Sequence, residues 1–380
     1  MQRLFTVLFA LFVPIHAFGQ SLEISSDQTA KLIKHARPNV QDAKGWADDL
    51  LDVLHLNQLS PTRENICASI AVIDQESNFV ADPAVAGLGA LAYKTLKDKL
   101  DRIPILGRVV LVFLDEHPKG AISYLQRIKT ARTEHDLDRT YRSLIDDAGT
   151  STNLSFVVQS GLLNQLIEER NNISTVGSMQ VSVRFAMDNA RERRWLPMTL
   201  TDVYAVRDEL YTRHGGMYYG VKQLLGYNSG YDKKIYRFAD FNAGRYSSRN
   251  AAFQHLVNIL SNQNNSRDGD LLLYGKDGKA LPAASKTELA IRQIVKDNTL
   301  PLNDKQIRAD LETEKQDGFA TSQTYIALKN LYLNKTQHGA PFAEIPNIEL
   351  TSPKISHRMT TASYATSVDG RYHKCMSFKP

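Results

Sequence analysis

Cysteine is nearly missing from this sequence. Only Cys67 and Cys375 occur in 380 residues. That excludes a disulfide-dense scaffold, and with no CxxC or HxxxH pair it argues against a zinc site, which needs clustered ligands. The ten histidines are scattered, so the reading expects no metal and no cofactor. An excess of one charge is also missing. Forty-six Lys and Arg against 41 Asp and Glu leave a formal charge of +5, a mild basic balance that suits an anionic polymer without identifying one. Past the first twenty residues no apolar run is long enough to span a bilayer. Strand-like alternation is sparse, and neither an internal repeat nor a long low-complexity segment is present.

The start of the chain differs from the rest. MQRLFTVLFALFVPIHAFGQ places Arg3 before an apolar run from Leu4 to Val13, then Pro14, then the small-x-small step Ala17-Phe18-Gly19. This order reads as a secretory signal peptide over residues 1–19, with the apolar run too short for a permanent anchor. The expectation is an exported, periplasmic protein with no transmembrane segment after cleavage and no nucleic-acid partner. Hydrophobic residues at 42% and charged residues at 23% give an ordinary globular balance with material for about two or three domains. In an oxidising compartment Cys67 and Cys375 either pair or stay as two buried thiols; the sequence leaves both open.

The pattern is mainly α. Residues 41–59 make an amphipathic helix whose apolar face carries Trp46, Leu50, Leu51, Val53, Leu54 and Leu56. SPTREN then reads as a helix start, with Ser60 as N-cap, Pro61 at the first helical position and Glu64 in the first turn. The helix runs to Ser77 and stacks Ile66, Ile70 and Ile73 on one face. At 100° per residue Glu76 falls beside that stripe, at the rim of the core. Residues 88–170 are mostly helical, with GRVVLVFLDEH either a buried strand or a buried helix. A Gly-Ser turn at Gly177-Ser178 leads into another helix ending in the basic ARERRW, read as a solvated face. TDVYAVRDELYTRHGGMYYGVKQLLGY reads as one or two helices interrupted at Gly215-Gly216, and KKIYRFADFNAGRYSSRNAAFQHLVNIL as helix, turn, helix. After residue 264 comes a hairpin or ordered loop in DGDLLLYGKDGKALP, then two helical stretches. From about His338 a tail rich in Pro, Thr and Ser reads as extended.

Three segments stand in a fixed order: Glu76-Ser77-Asn78-Phe79, Gly177-Ser178-Met179-Gln180-Val181 and Phe241-Asn242-Ala243-Gly244. In that order they resemble the soluble lytic transglycosylases, relatives of goose-type lysozyme, with a catalytic Glu-Ser, a Gly-Leu-Met-Gln motif and a Tyr-Asn-Ala-Gly motif. GGMYYGVKQLL resembles that family's Gly-containing helix with a Tyr-Leu pair. The likeness covers residues 63–260. The chain as a whole also resembles an uncharacterised family of bacterial exported proteins and lipoproteins. The resemblance implies a lysozyme-like helical domain over 20–264, a large helical insertion over 88–170 and a C-terminal extension, α plus extended, over 265–380. The sequence departs from the pattern in three places. The first two motifs are widely separated, Phe241 stands where Tyr is usual, and Ser178 replaces Leu. Tyr219 and Tyr246 are the candidates for the missing hydroxyl.

A glycosidic oxygen leaves poorly unless protonated, and partial burial raises a carboxylic acid's pKa in the direction that keeps it a donor. Most glycosidases add a second carboxylate. The resemblance implies instead that one acid, Glu76, serves as acid and base, with the sugar's N-acetyl group assisting and its C6 hydroxyl closing a 1,6-anhydro ring. Ser77, Met179, Gln180, Phe241 and Asn242 would contact substrate. The expectation is a peptidoglycan lytic transglycosylase, a glycosidase-like lyase acting on the MurNAc-GlcNAc bond of cell-wall glycan strands. The alternatives are a catalytically silent module of the same fold that binds glycan or an envelope protein, and a lysozyme-like hydrolase.

Overall fold

The computed structural model describes residues 24–150, 175–275, 278–350 and 359–379. The expected signal peptide and residues 151–170 of the expected insertion lie outside them. The described residues form sixteen α-helices and four strands of two residues each, a mainly α fold. None of these helices is long and apolar enough to cross a membrane.

Helices α1 (Ser26–Ala36), α2 (Ala43–Leu56) and α3 (Arg63–Glu76) open the first core. Residues Ile66 through Asp74 of α3 are all buried, which marks it as the central helix rather than a surface one. It begins later than the sequence suggests. Thr62 caps it by accepting the Asn65 N–H at 3.3 Å, while Pro61 lies in the extended approach. Asp42 caps α2, and on that helix Leu56 faces solvent while Trp46, Leu50, Val53 and Leu54 enter the core. At the other end of α3, Ser77 returns its N–H to Ile73 O, and Asn78 and Phe79 both take left-handed φ values, 54° and 64°. Asn tolerates that region; a bulky residue does so only when held. The Phe79 ring is held edge-on against Trp46, 5.3 Å between centroids. The chain therefore turns sharply away just beyond Glu76.

The described part of the expected insertion, residues 88–150, is mainly helical, and GRVVLVFLDEH lies in a helix up to Glu116. Helices α4 (Leu88–Leu100), α5 (Pro104–Glu116), α6 (Tyr124–Thr130) and α7 (Glu134–Thr150) pack chiefly on one another. Their core of Leu96, Leu100, Val110, Leu114, Ile128, Leu137 and Leu144 is separate from the first. Next come β1 (Thr175–Val176) and β2 (Val181–Ser182), an antiparallel pair with Val176 opposite Val181. Helices α8 (Val183–Glu192), α9 (Leu200–Leu210) and α10 (Arg213–Leu225) follow. Asp138 of α7 sits between Arg142 and Arg207, and Arg142 also reaches Asp208 at 2.7 Å, so the insertion is fastened to α9. The α9–α10 break falls at Tyr211-Thr212, where Thr212 caps the Gly215 N–H. Gly215 and Gly216 lie inside α10, pressed on Glu209 and Ser178.

Helices α11 (Lys234–Ala243) and α12 (Ser247–Ser261) complete the run that carries the three motifs. Asp240 fixes the turn between them, accepting from the Tyr227 and Tyr231 hydroxyls at 3.0 and 2.7 Å and from the N–H of Tyr246 and Ser248 at 2.9 and 2.6 Å. Beyond α12, helices α13 (Lys286–Asp297), α14 (Asp304–Leu311) and α15 (Gln323–Thr336) build another core with Phe253, Phe319 and Leu328. DGDLLLYGKDGKALP holds one antiparallel bridge, Tyr274 to Ala280. The tail differs from the expectation. After β3 (Glu349–Leu350) and β4 (Met359–Thr360), residues Thr361–Ser377 form a helix, α16. Its Ser and Thr are poor helix formers, but burial of Tyr364, Ala365, Val368, Tyr372 and Cys375 at helical spacing outweighs propensity. This helix packs on α3 and α11 within the first core, so it belongs with the residues before 264 rather than to an extension.

Candidate active site

The site forms where α3 ends. Helix α16 runs antiparallel to α3 and joins it residue by residue. The Tyr364 hydroxyl donates to Glu76 Oε1 at 2.5 Å, and the Ser367 hydroxyl to Gln75 Oε1 at 2.9 Å. Arg371 donates to Asp74 Oδ2 at 3.0 Å, while Arg37 holds the other oxygen at 2.5 Å. At the far end Cys375 is bonded to Cys67, with Cα atoms 5.5 Å apart. The two cysteines, left open by the sequence, therefore pair. One turn before Tyr364, the Thr361 hydroxyl donates to Asn242 Oδ1 at 3.0 Å. The C-terminal helix thus ties the first motif to the third.

Glu76 is partly accessible, but protein crowds its carboxyl. Desolvation pushes its pKa up to about 7, and the hydrogen bond from Tyr364 opposes the shift without cancelling it. Its place at the C-terminal end of α3, the negative end of the helix dipole, acts in the same direction as desolvation. Asp74, two residues away, has a different fate: two arginines engage it. Near neutrality Glu76 is thus a carboxyl group poised between acid and base, the requirement for a proton donor that must later accept. Tyr364 engages Oε1, which leaves Oε2 as the oxygen available to carry the acid proton.

The other expected site residues divide. Asn242 is exposed, and with Oδ1 taken by Thr361 it presents its amide N–H groups. Gln180, with φ of 48°, turns inward on its own hairpin. Its amide nitrogen donates to Gly177 O at 3.2 Å, and its oxygen accepts from Thr175 at 3.2 Å. Gly177 itself has φ of 81°, and a Cβ there would meet Leu210 O at 2.1 Å. Ser77 is buried, its hydroxyl spent on Ile73 O at 3.1 Å, so it contacts neither the Glu76 carboxyl nor a ligand outside. Met179 has no exposed surface and packs against Gly220, where a Cβ would lie 2.4 Å from its sulfur. Phe241 is a core residue whose carbonyl accepts from Gln223 at 3.0 Å. These three are buried rather than lining the site, Met179 and Phe241 in the first core and Ser77 bonded to backbone.

The candidates for the missing hydroxyl are also placed elsewhere. Tyr219 donates to Glu209 at 3.2 Å and Tyr246 to Asn228 O at 3.1 Å. Tyr364 and Thr361 take their place beside Glu76 and Asn242. Both lie in the tail read as extended. The helical spacing of Thr361, Tyr364, Val368, Tyr372 and Cys375 is the signal that could have found them.

The whole constellation falls in a region shared with other proteins. Residues 39–378 match a family described as "Protein of unknown function (DUF1615)". "Uncharacterized protein YaiW" of Escherichia coli (strain K12) is 37% identical over 350 residues, 91% of this chain and 89% of the relative. No solved structure matches the chain. Cys67, Glu76, Asn242, Tyr364 and Cys375 all lie within the matched span, and on its extent the chain belongs to the DUF1615 family.

Proposed function

We propose that this protein cleaves the glycan strands of peptidoglycan at the MurNAc-GlcNAc bond as a lytic transglycosylase of the cell envelope, with Glu76 as its acid and base. The observation that carries this reading is the Glu76 carboxyl itself. The residue is partly exposed, its carboxyl is enclosed by protein so that desolvation raises its pKa to about 7, and it is set where α3 leaves the core. In the reaction Glu76 Oε2 gives its proton to the glycosidic oxygen as the C1–O bond breaks. The N-acetyl oxygen of the sugar supports the anomeric carbon. The Glu76 carboxylate then takes the C6 hydroxyl proton as O6 bonds to C1, which restores the acid and leaves an anhydro end. The exposed amide of Asn242 is suited to hold the N-acetyl sugar. A single-acid scheme also fits the engagement of Asp74 by two arginines.

Purified sacculi test the reading. Wild-type protein releases anhydro-muropeptides and Glu76→Gln releases none. Reducing ends instead of anhydro ends would assign a lysozyme-like hydrolase. One set of observations favours a second reading, a glycan-binding module without turnover: Ser77, Met179 and Phe241 are all buried. That reading expects sacculus binding that survives Glu76→Gln and no released product from either protein.

A further inference from the structure

Tyr364 reaches Glu76 from 288 residues away, and the contact is built rather than incidental. The tyrosine is buried in the first core, 5% exposed. Its helix is registered against α3 by three more connections: Ser367 to Gln75, Arg371 to Asp74, and the Cys67–Cys375 bond. The same helix holds Asn242 through Thr361, so one rigid element sets the spacing between the acid and the exposed amide. None of the other candidate hydroxyls serves Glu76, since Tyr219 and Tyr246 are committed elsewhere and Ser77 bonds backbone. We propose that Tyr364 is the positioning residue of Glu76, and that the disulfide-clamped C-terminal helix is a working part of the site.

This inference rests on the reading of Glu76 as the reacting acid. A carboxyl on a flexible side chain samples several rotamers, and a buried donor on one oxygen selects one of them. It also leaves Oε2 as the oxygen available to carry the proton. The charges around the pair do not substitute for it. On α3 Asp74 is held between Arg37 and Arg371, and Arg371 of α16 is the cation whose charge acts on Tyr364. On α11, Lys234 pairs with Glu64 at the opposite end of α3, 3.6 Å away, and Asp240 is enclosed by Tyr227 and Tyr231. Because Tyr364 lowers the Glu76 pKa against desolvation, its loss has a defined sign: the pKa rises.

The test follows the Glu76 carboxyl carbon by NMR titration in full-length protein labelled at glutamate, with the signal assigned by its loss in Glu76→Gln. Tyr364→Phe removes one oxygen. The expected result is a Glu76 pKa above that of wild type. In the sacculus assay kcat falls about ten- to a hundredfold, the scale of a hydrogen bond to a charged group, KM stays near wild type, and the basic limb of the pH profile moves upward. Ser367→Ala breaks a neighbouring connection of the same helix and is expected to leave the Glu76 titration in place, which a general loosening of the helix would not. Should Tyr364→Phe fold poorly, 3-fluorotyrosine at position 364 keeps the hydroxyl and strengthens it as a donor, and the Glu76 pKa then moves down. An unchanged Glu76 titration in folded Tyr364→Phe or in the fluorinated protein overturns the inference. A shifted titration in a protein that releases no product overturns the enzymatic reading and leaves only the hydrogen bond between Tyr364 and Glu76.

Discussion

Replacing Glu76 by Gln should make the protein more stable while abolishing its activity, and the gain should depend on pH in a defined way. In the folded protein the Glu76 pKa lies at about 7, against 4.5 for the ordinary side chain. Between those values the folded state binds more protons than the unfolded state, so stability falls as pH rises from about 4.5 to about 7 and is level above. At about 1.4 kcal/mol per pKa unit, the ionised carboxyl costs up to about 3 kcal/mol at pH 8. A neutral amide of the same shape avoids that cost, and its oxygen still accepts from Tyr364. The assay is thermal or urea unfolding of both proteins at pH 5 and pH 8. Near pH 5 the two should nearly coincide; at pH 8 the variant should melt about 4 °C above wild type. Asp240 and Glu314, whose burial pushes their pKa values up to about 6 and about 8, contribute to both proteins and cancel in the difference. Parallel pH dependences, or a variant less stable than wild type at pH 8, would refute the desolvated state assigned to Glu76.

Further outcomes follow from the same structure. Cys375→Ser opens a link between residues 308 apart, a separation that puts the chain-entropy gain at the top of the observed range. Its unfolding free energy should drop by about 2–5 kcal/mol, and calorimetry of reduced wild type should match it. Gly220→Ala places a Cβ against Met179 and should cost about 1–3 kcal/mol by urea unfolding, with Met179→Ala in the same chain recovering part of the loss.

The site was half legible in the sequence. The place of Glu76 at the end of a core helix was legible because an apolar helix with a charged residue at its rim is a local pattern, and α3 ends within one residue of where its periodicity stops. Asn242 could be found because Asn-Ala-Gly closes a helix, and Gly244 with φ of 114° does end α11. The start of α3 was misplaced by two residues since Ser60, Pro61 and Thr62 all carry start signals, and only backbone geometry selects Thr62. Met179 and Phe241 look like lining residues in a motif and are core residues in space, because each packs into the first hydrophobic core, Met179 against Gly220. Tyr364 had no local signal pointing to Glu76. Its partner is set by the packing of α16 on α3 and by a disulfide that sequence alone left open. Residues 88–150 read as helices from their sequence, but the attachment of α7 to α9 depends on Asp138, Arg142, Arg207 and Asp208 meeting across the fold.

The most direct measurement of the central claim is mass spectrometry of sacculi digested by purified wild-type protein and by Glu76→Gln. The account predicts muropeptides ending in 1,6-anhydro-MurNAc with wild type and none with the variant. Equal release by both proteins, or no release by wild type that binds the sacculi, would contradict it.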